Sequence, residues 1–172
     1  MLGLQHNTNR LVEYDPDWAV EFVRERSRIS DALAPVAVGI EHYGSTAVTG
    51  MRAKPILDIL VGVISLSDWQ HCHDPLLGLG YDYAANAGVP GHHIFGRGRD
   101  LTERTHLVHV VQFQGESWRS NIAFRDALRG DAALRQAYIV AKQHALANAP
   151  ASRGRYNELK QPFIDQVKAG LT

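Results

Sequence analysis

Apolar positions along the chain change their period several times, and each change marks an element. Asp15-Pro16 has the form of a helix cap followed by proline at the first helical position, and Trp18, Phe22, Ile29 and Leu33 then recur at helical spacing. This predicts a helix over 16–33, ended by Pro35. Residues 36–43 are rich in β-branched and apolar side chains and predict a strand that runs into the small-residue turn Gly44-Ser45-Thr46. A second strand is predicted over 55–64, and its nearly continuous apolar character places it inside a sheet with helices on both faces. Ser67 is the expected cap of a helix reaching residue 79, stopped by Gly80. Shorter strands are predicted over 81–84, 92–96 and 105–113, joined by glycine-rich turns. Beyond Gly115 the texture is helical, with Ser117 as the expected cap of a helix over 117–129 and further helices predicted over 131–148 and 152–168. Tyr156, Leu159, Phe163 and Val167 stripe the last one, and Pro162 is expected to bend it or cut it short.

The pattern therefore predicts an α/β (α+β) fold, a mixed β-sheet flanked by helices with a C-terminal helical cover. Residues 1–10 are polar and aperiodic and read as a flexible leader; residues 11–172 read as a single domain, since 172 residues with 45% apolar content bury one core. Eighteen Lys plus Arg balance 18 Asp plus Glu, which argues against holding a long nucleic acid by counterion release. Cys72 has no partner for an intramolecular disulfide, no secretory pattern opens the chain, and the apolar run 56–64 is broken by Asp58 and Gly62. It also falls short of the roughly 20 residues of a membrane helix. A cytoplasmic protein without membrane contact, of unassigned oligomeric state, is expected.

Chemistry concentrates between the first two strands. Gly44 lets backbone approach a phosphate, the Ser45 hydroxyl and the amides that follow donate to its oxygens, and Asp58 thirteen residues after Ser45 can hold a divalent cation. A carboxylate inside an apolar run demands a partner, whether a metal, a ligand or a salt bridge to Lys54 or an arginine. Lys54 is also placed to neutralise a phosphate. His106 and His109 are three apart and must face opposite sides of a strand; His109 is preferred as a metal ligand or general base, beside the strand bearing Asp58. Glu41 is preferred to His42 as a third member of that group. His71, His73, His92 and His93 lack a recognised zinc spacing and read as surface or loop residues. Trp118, Tyr138, Tyr156 and Phe163 read as core or interface aromatics.

The runs 41–50, 54–59, 105–110 and 124–129, followed by Tyr156, Lys160 and Pro162-Phe163-Ile164, together resemble the GrpB family over nearly all the chain after Leu11. The resemblance implies a nucleotidyltransferase-like fold, in which a Gly-Ser turn precedes a strand with metal-binding carboxylates. Members of that superfamily transfer a nucleotidyl group from a nucleoside triphosphate to an acceptor, using magnesium. Gly44, Ser45 and Thr46 match the turn and Asp58 the first carboxylate, with Mg2+ or Mn2+ as the implied ion. Leu60 stands where a second carboxylate belongs and His109 where a third acid might, which tells against two-metal catalysis. Arg119, Arg125, Arg129, Lys142 and Lys160 all fall on the C-terminal helices; Arg125 and Lys160 lie inside the family-like runs and are the preferred phosphate contacts.

Three functions follow as expectations. The first is a metal-dependent nucleotidyltransferase-like enzyme. The second is a non-catalytic module that binds a nucleotide or phosphorylated ligand. The third is a phosphoesterase or ligase assisted by His109.

Overall fold

The apolar run near residue 60 forms an interior strand, as its lack of alternation predicts. A computed structural model describes residues 1–6, 8–100 and 102–171; Asn7, Leu101 and Thr172, which fall in the expected leader and domain, lie outside the described residues. The elements run β1 (Leu4–Gln5), α1 (Asp17–Leu33), β2 (Ala37–Tyr43), β3 (Leu57–Val63), α2 (Trp69–Gly78), β4 (Asp82–Tyr83) and β5 (His93–Arg97). They continue with β6 (Glu103–Arg104), β7 (His106–Gln112), α3 (Glu116–Gly130), α4 (Ala132–Asn148) and α5 (Arg153–Ala169). Among the described residues the main sheet has five strands in the order β2-β3-β7-β5-β4. It is mixed, because β3 pairs antiparallel with β2 and parallel with β7.

The two faces of β3 meet different layers. Leu57, Ile59, Val61 and Val63 enter a core with Trp18, Ile29 and Leu33 of α1 and Cys72 and Leu76 of α2. Each fully buried side chain of this size contributes about 1.5–3 kcal/mol before entropy is charged. Leu60 faces the other way, against Val111, Phe113 and Trp118. Gly62 makes that packing fit, since a Cβ there would lie 2.8 Å from the Phe113 ring and 2.9 Å from Trp118. Helices α3, α4 and α5 build the rest of this layer through Phe124, Leu128, Tyr138, Phe163 and Val167.

Side-chain caps start α4 and α5, while at α1 the cap position falls on Pro16 and the expected cap, Asp15, supports the helix from one residue before it. Asp15 Oδ1 accepts the Asp17 N–H at 3.1 Å, Asp131 Oδ1 that of Leu134 at 3.0 Å, and Ser152 Oγ that of Arg155 at 3.2 Å. Two expected caps differ. Ser65, not Ser67, opens the second helical segment through a capping box with Asp68, and Ser117 lies inside α3, whose cap is Gly115. Pro162 does not cut α5 short, which runs on to Ala169. One missing donor is outweighed there by the packing of Leu159, Phe163 and Val167.

The expected flexible leader over residues 1–10 is instead attached. β1 pairs antiparallel with β6, the Gly3 N–H reaches the Pro55 carbonyl at 2.8 Å, and Asn9 Nδ2 donates to Ala149 at 2.7 Å. Leu4 is buried under this pairing. No helix among the described residues is long and apolar enough to cross a membrane.

Candidate functional site

β2 ends at Tyr43, and the chain turns through Gly44 into one 3-10 turn, Ser45–Ala47. Gly44 has φ 71°, and a Cβ on it would lie 2.7 Å from Asp58 Oδ2, so glycine is what lets the turn close over the carboxylate. Strand register does the rest, setting Tyr43 opposite Asp58 on one side and Leu107 on the other, with His109 beside Leu60. Alternation along the strands then puts Asp58 and His109 on the face covered by α3, α4 and α5. A cavity of about 390 Å³ opens there.

Its charge is unbalanced. All four lysines of the chain, Lys54, Lys142, Lys160 and Lys168, line it together with Arg153, and Asp58 is the one carboxylate among its lining residues. Arg153, Lys160 and Lys168 are spaced about two turns apart on α5 and so share a face. Lys54 Nζ lies 3.6 Å and Lys160 Nζ 5.4 Å from the centre of the Tyr156 ring, which cradles both ammonium groups. Lys168 donates to Asn121 Oδ1 at 2.9 Å. Lys142 donates to the Arg52 carbonyl and meets Ser45 Oγ at 3.2 Å. Two buried nitrogens of Arg153, Nε and one Nη, have no hydrogen-bond partner among the described residues. Idle donors of this kind are costly, and an acceptor oxygen entering the cavity would relieve them.

Burial governs the titration of these groups. It holds Lys54 down to about 6, helped by repulsion from Lys160 and Arg153, and Lys142 down to about 7, helped by Lys160 and Arg52. Burial pushes Asp58 up to about 6 against the opposing pull of Lys160, Lys54 and Arg153. His109 Nε2 stands 4.0 Å from Asp58 Oδ1, and its Nδ1 meets His92 Nδ1 at 3.2 Å. Burial, with His92 adding, takes His109 down to about 3, and burial takes His92 to about 4. Both imidazoles are neutral at pH 7, one donating to the other. Such a weak base does not suit the general-base role expected of His109.

The structure thus brings Gly44, Ser45, Thr46, Lys54, Asp58, His109 and Lys160 to one cavity. Thr46 is only a wall, because its buried hydroxyl is bonded to His42 Nε2 at 2.9 Å. Arg125 and Glu41 are not in the cavity lining. Arg125 Nη1 donates to Glu41 Oε2 at 2.7 Å and to the His42 carbonyl at 2.9 Å, so the expected phosphate contact and the expected metal ligand are spent on each other. Sequence reasoning named Lys142 without preferring it, read His92 as a surface or loop residue, and did not raise Lys168 or Arg153. The scarcity of lysine, four in the chain with three of them in the last two helices, was the available signal.

A divalent ion is implied by the resemblance. Asp58 is the one carboxylate in the cavity, with Leu60 where a second would stand, and that donor set suits one hard ion completed by ligand oxygens, not two. Another group of metal-type side chains, Glu21, Glu25 and His106, has ligand atoms within 4.8 Å of one another on the opposite face of the sheet. It borders a larger cavity of about 530 Å³. Its capacity is filled, since Glu25 already accepts from Tyr81 at 2.7 Å, Arg28 at 2.8 Å and Arg97 at 2.9 Å. His106 faces this side, opposite to His109, as their odd spacing predicts.

A family model described as GrpB protein matches residues 8–169. The glutamate-rich protein GrpB of Alkalihalophilus pseudofirmus is 32% identical over 170 residues, covering 97% of this chain and 98% of that protein. The crystal structure of the conserved protein GrpB from Enterococcus faecalis superposes with a TM-score of 0.82 at 29% identity, covering 94% of this chain and 96% of that one. A MgGTP-bound structure of the Cid1 poly(U) polymerase aligns with a TM-score of 0.51 at 12% identity, over 78% of this chain and 44% of that one, a likeness of fold alone.

Proposed function

The chain belongs to the GrpB family, and on that premise we propose that its lysine-lined cavity holds the phosphates of a nucleoside triphosphate for metal-dependent transfer of a nucleotidyl group. Charge carries the reading: four lysines and a partly unpartnered arginine converge on a cavity with one carboxylate. Anionic phosphates would satisfy the Arg153 donors and restore full protonation to Lys54 and Lys142. The polymerase that shares the fold was solved with MgGTP, which makes a magnesium nucleotide the first ligand to test.

Within this reading each residue has a stated task. Lys54, Arg153 and Lys160 neutralise phosphate charge, and Gly44 keeps the backbone low beside Asp58. A magnesium or manganese ion would be held by Asp58 together with ligand phosphates, and would supply charge neutralisation and orientation. His109 and His92, both neutral, bond to each other and line the wall beside Asp58 without drawing protons at neutral pH.

Thermal unfolding of wild type and Asp58→Ala with a panel of nucleoside triphosphates and magnesium tests the reading. A ligand at about 100 times its Kd adds about 2.7 kcal/mol of stability. Stabilisation of wild type that is weakened in Asp58→Ala is expected, and no stabilisation by any nucleotide contradicts it. Leu60, fully buried at the place of a second carboxylate, favours one alternative, binding without turnover. Saturable stabilisation with no consumption of nucleotide would select it.

A further inference from the structure

The cations of the cavity are not gathered at one point. Lys54 and Lys160 share the Tyr156 ring, and Arg153 acts with them on Asp58. Lys168 stands apart, about 12 Å further along α5 than Lys160. Ile164, halfway between the two on the helix, and Phe124 of α3 line the same cavity and give its wall an apolar stretch. The half-buried Lys168 ammonium is fixed by neutral groups: it donates to Asn121 Oδ1 at 2.9 Å and to Ser120 Oγ at 3.4 Å. Asn121 is in turn tied to its own helix, its Nδ2 donating to the Ser117 carbonyl at 2.8 Å. An ammonium carries three N–H groups, so one is left for the cavity that Lys168 lines. Asp165 is the carboxylate whose charge reaches it, yet among the described residues the two form no ion pair, and Asp165 accepts from Gln161 at 2.8 Å instead.

A held cation with a spare donor and no carboxylate in contact gains from an anionic oxygen. We propose that Lys168 is the centre of a second anion subsite, which takes a phosphate or carboxylate group while the triphosphate lies at Lys54, Arg153 and Lys160. The inference rests on the reading of the cavity as a nucleoside triphosphate site. An apolar wall between two cationic ends suits an uncharged body with an anionic group on either side of it. Two sources supply the second anion: another phosphate on the nucleotide itself, or the anionic group of a separate acceptor molecule. A lysine that only tied α5 to α3 would shift the melting temperature when replaced and leave ligand preference alone.

Calorimetric titration of the full chain with magnesium present separates the sources. In one arm AMP and adenosine 3′,5′-bisphosphate are titrated into wild type, Lys168→Gln and Lys168→Arg. In the other, inorganic phosphate is titrated into the same proteins saturated with α,β-methylene ATP, which cannot release pyrophosphate. A preference of wild type for the bisphosphate by roughly 10-fold, the worth of one charge-assisted hydrogen bond, lost in Lys168→Gln and kept in Lys168→Arg, assigns the subsite to the nucleotide. Phosphate binding to the nucleotide-filled protein that disappears in Lys168→Gln assigns it to a separate acceptor. No Lys168-dependent binding in either arm, or phosphate that only displaces the nucleotide, overturns the inference and leaves the nucleotide reading standing. A Lys168→Gln that melts lower but keeps the wild-type preferences shows a strut and overturns it as well. Failure of α,β-methylene ATP to bind contradicts the nucleotide reading itself, and the inference falls with it.

Discussion

The two faces of the central sheet bury charge in opposite ways. Under α1, Glu25 is 1% exposed and is met by Tyr81, Arg28 and Arg97, so the one fully buried carboxylate there has its counterparts among the described residues. Under α4 and α5, four lysines and Arg153 face Asp58 alone. A balanced network holds the fold together and needs nothing from outside. An unbalanced one lowers the stability of the empty protein, and that cost is recovered when a ligand of opposite charge arrives.

The largest effect should come from breaking the balanced face. Glu25→Ala strands two guanidinium groups and a tyrosine hydroxyl, and is expected to cost about 3–5 kcal/mol in denaturant unfolding while leaving the affinity of the folded fraction for nucleotide unchanged. A neutral result would mean that the network is not what stabilises this face. A smaller change of opposite sign is expected on the cavity face. Lys54→Met removes a buried amine whose charged form burial disfavours, and should stabilise the ligand-free protein by about 1 kcal/mol while weakening triphosphate binding. Loss of stability together with retained binding would place Lys54 in the structural class instead.

Two smaller effects depend on pH. Burial depresses His42 and His106 to about 4, so between about 6.5 and 4 the unfolded chain binds more protons than the folded one. Their contribution to stability is full above 6.5 and is lost as pH falls toward 4, which a series of melting curves can follow. On the cavity face the sign reverses for binding. Lys54 and Lys142, depressed to about 6 and about 7, must be protonated again by an entering anion. Affinity for a fully ionised triphosphate should therefore fall from pH 7 to 9, by up to about tenfold per unit for each lysine involved. A flat profile in calorimetric titration would show that these amines do not touch the ligand.

What the sequence revealed divides along the same line. Helix α1 and the interior strand β3 are local patterns, and residues 15–63 carry them in their spacing, as Asp131 and Ser152 mark the starts of α4 and α5. Asp58 was legible because a carboxylate inside an apolar run has few innocent explanations. β1 and β6 were not, since two-residue strands have no period to read. Arg125 and Glu41 were misjudged because their contact spans 84 residues and is decided by how α3 lies on β2. Arg153 and Lys168 carry no local signal, because only the packing of α5 over the sheet makes them line a cavity. His92 sits in a glycine-rich connection whose path onto β7 no local pattern fixes.

The most direct test of the cationic face is calorimetric titration of ATP with magnesium into wild type, Arg153→Met and Arg24→Met, the last being an exposed cation beside the opposite cavity. Saturable binding to wild type is expected, equal in Arg24→Met and weaker by roughly 10-fold to 100-fold in Arg153→Met, the worth of a charge-assisted hydrogen bond of about 1.5–3 kcal/mol. Absence of saturable binding, or equal weakening by the two substitutions, would contradict the assignment of the lysine-lined cavity as the nucleotide site.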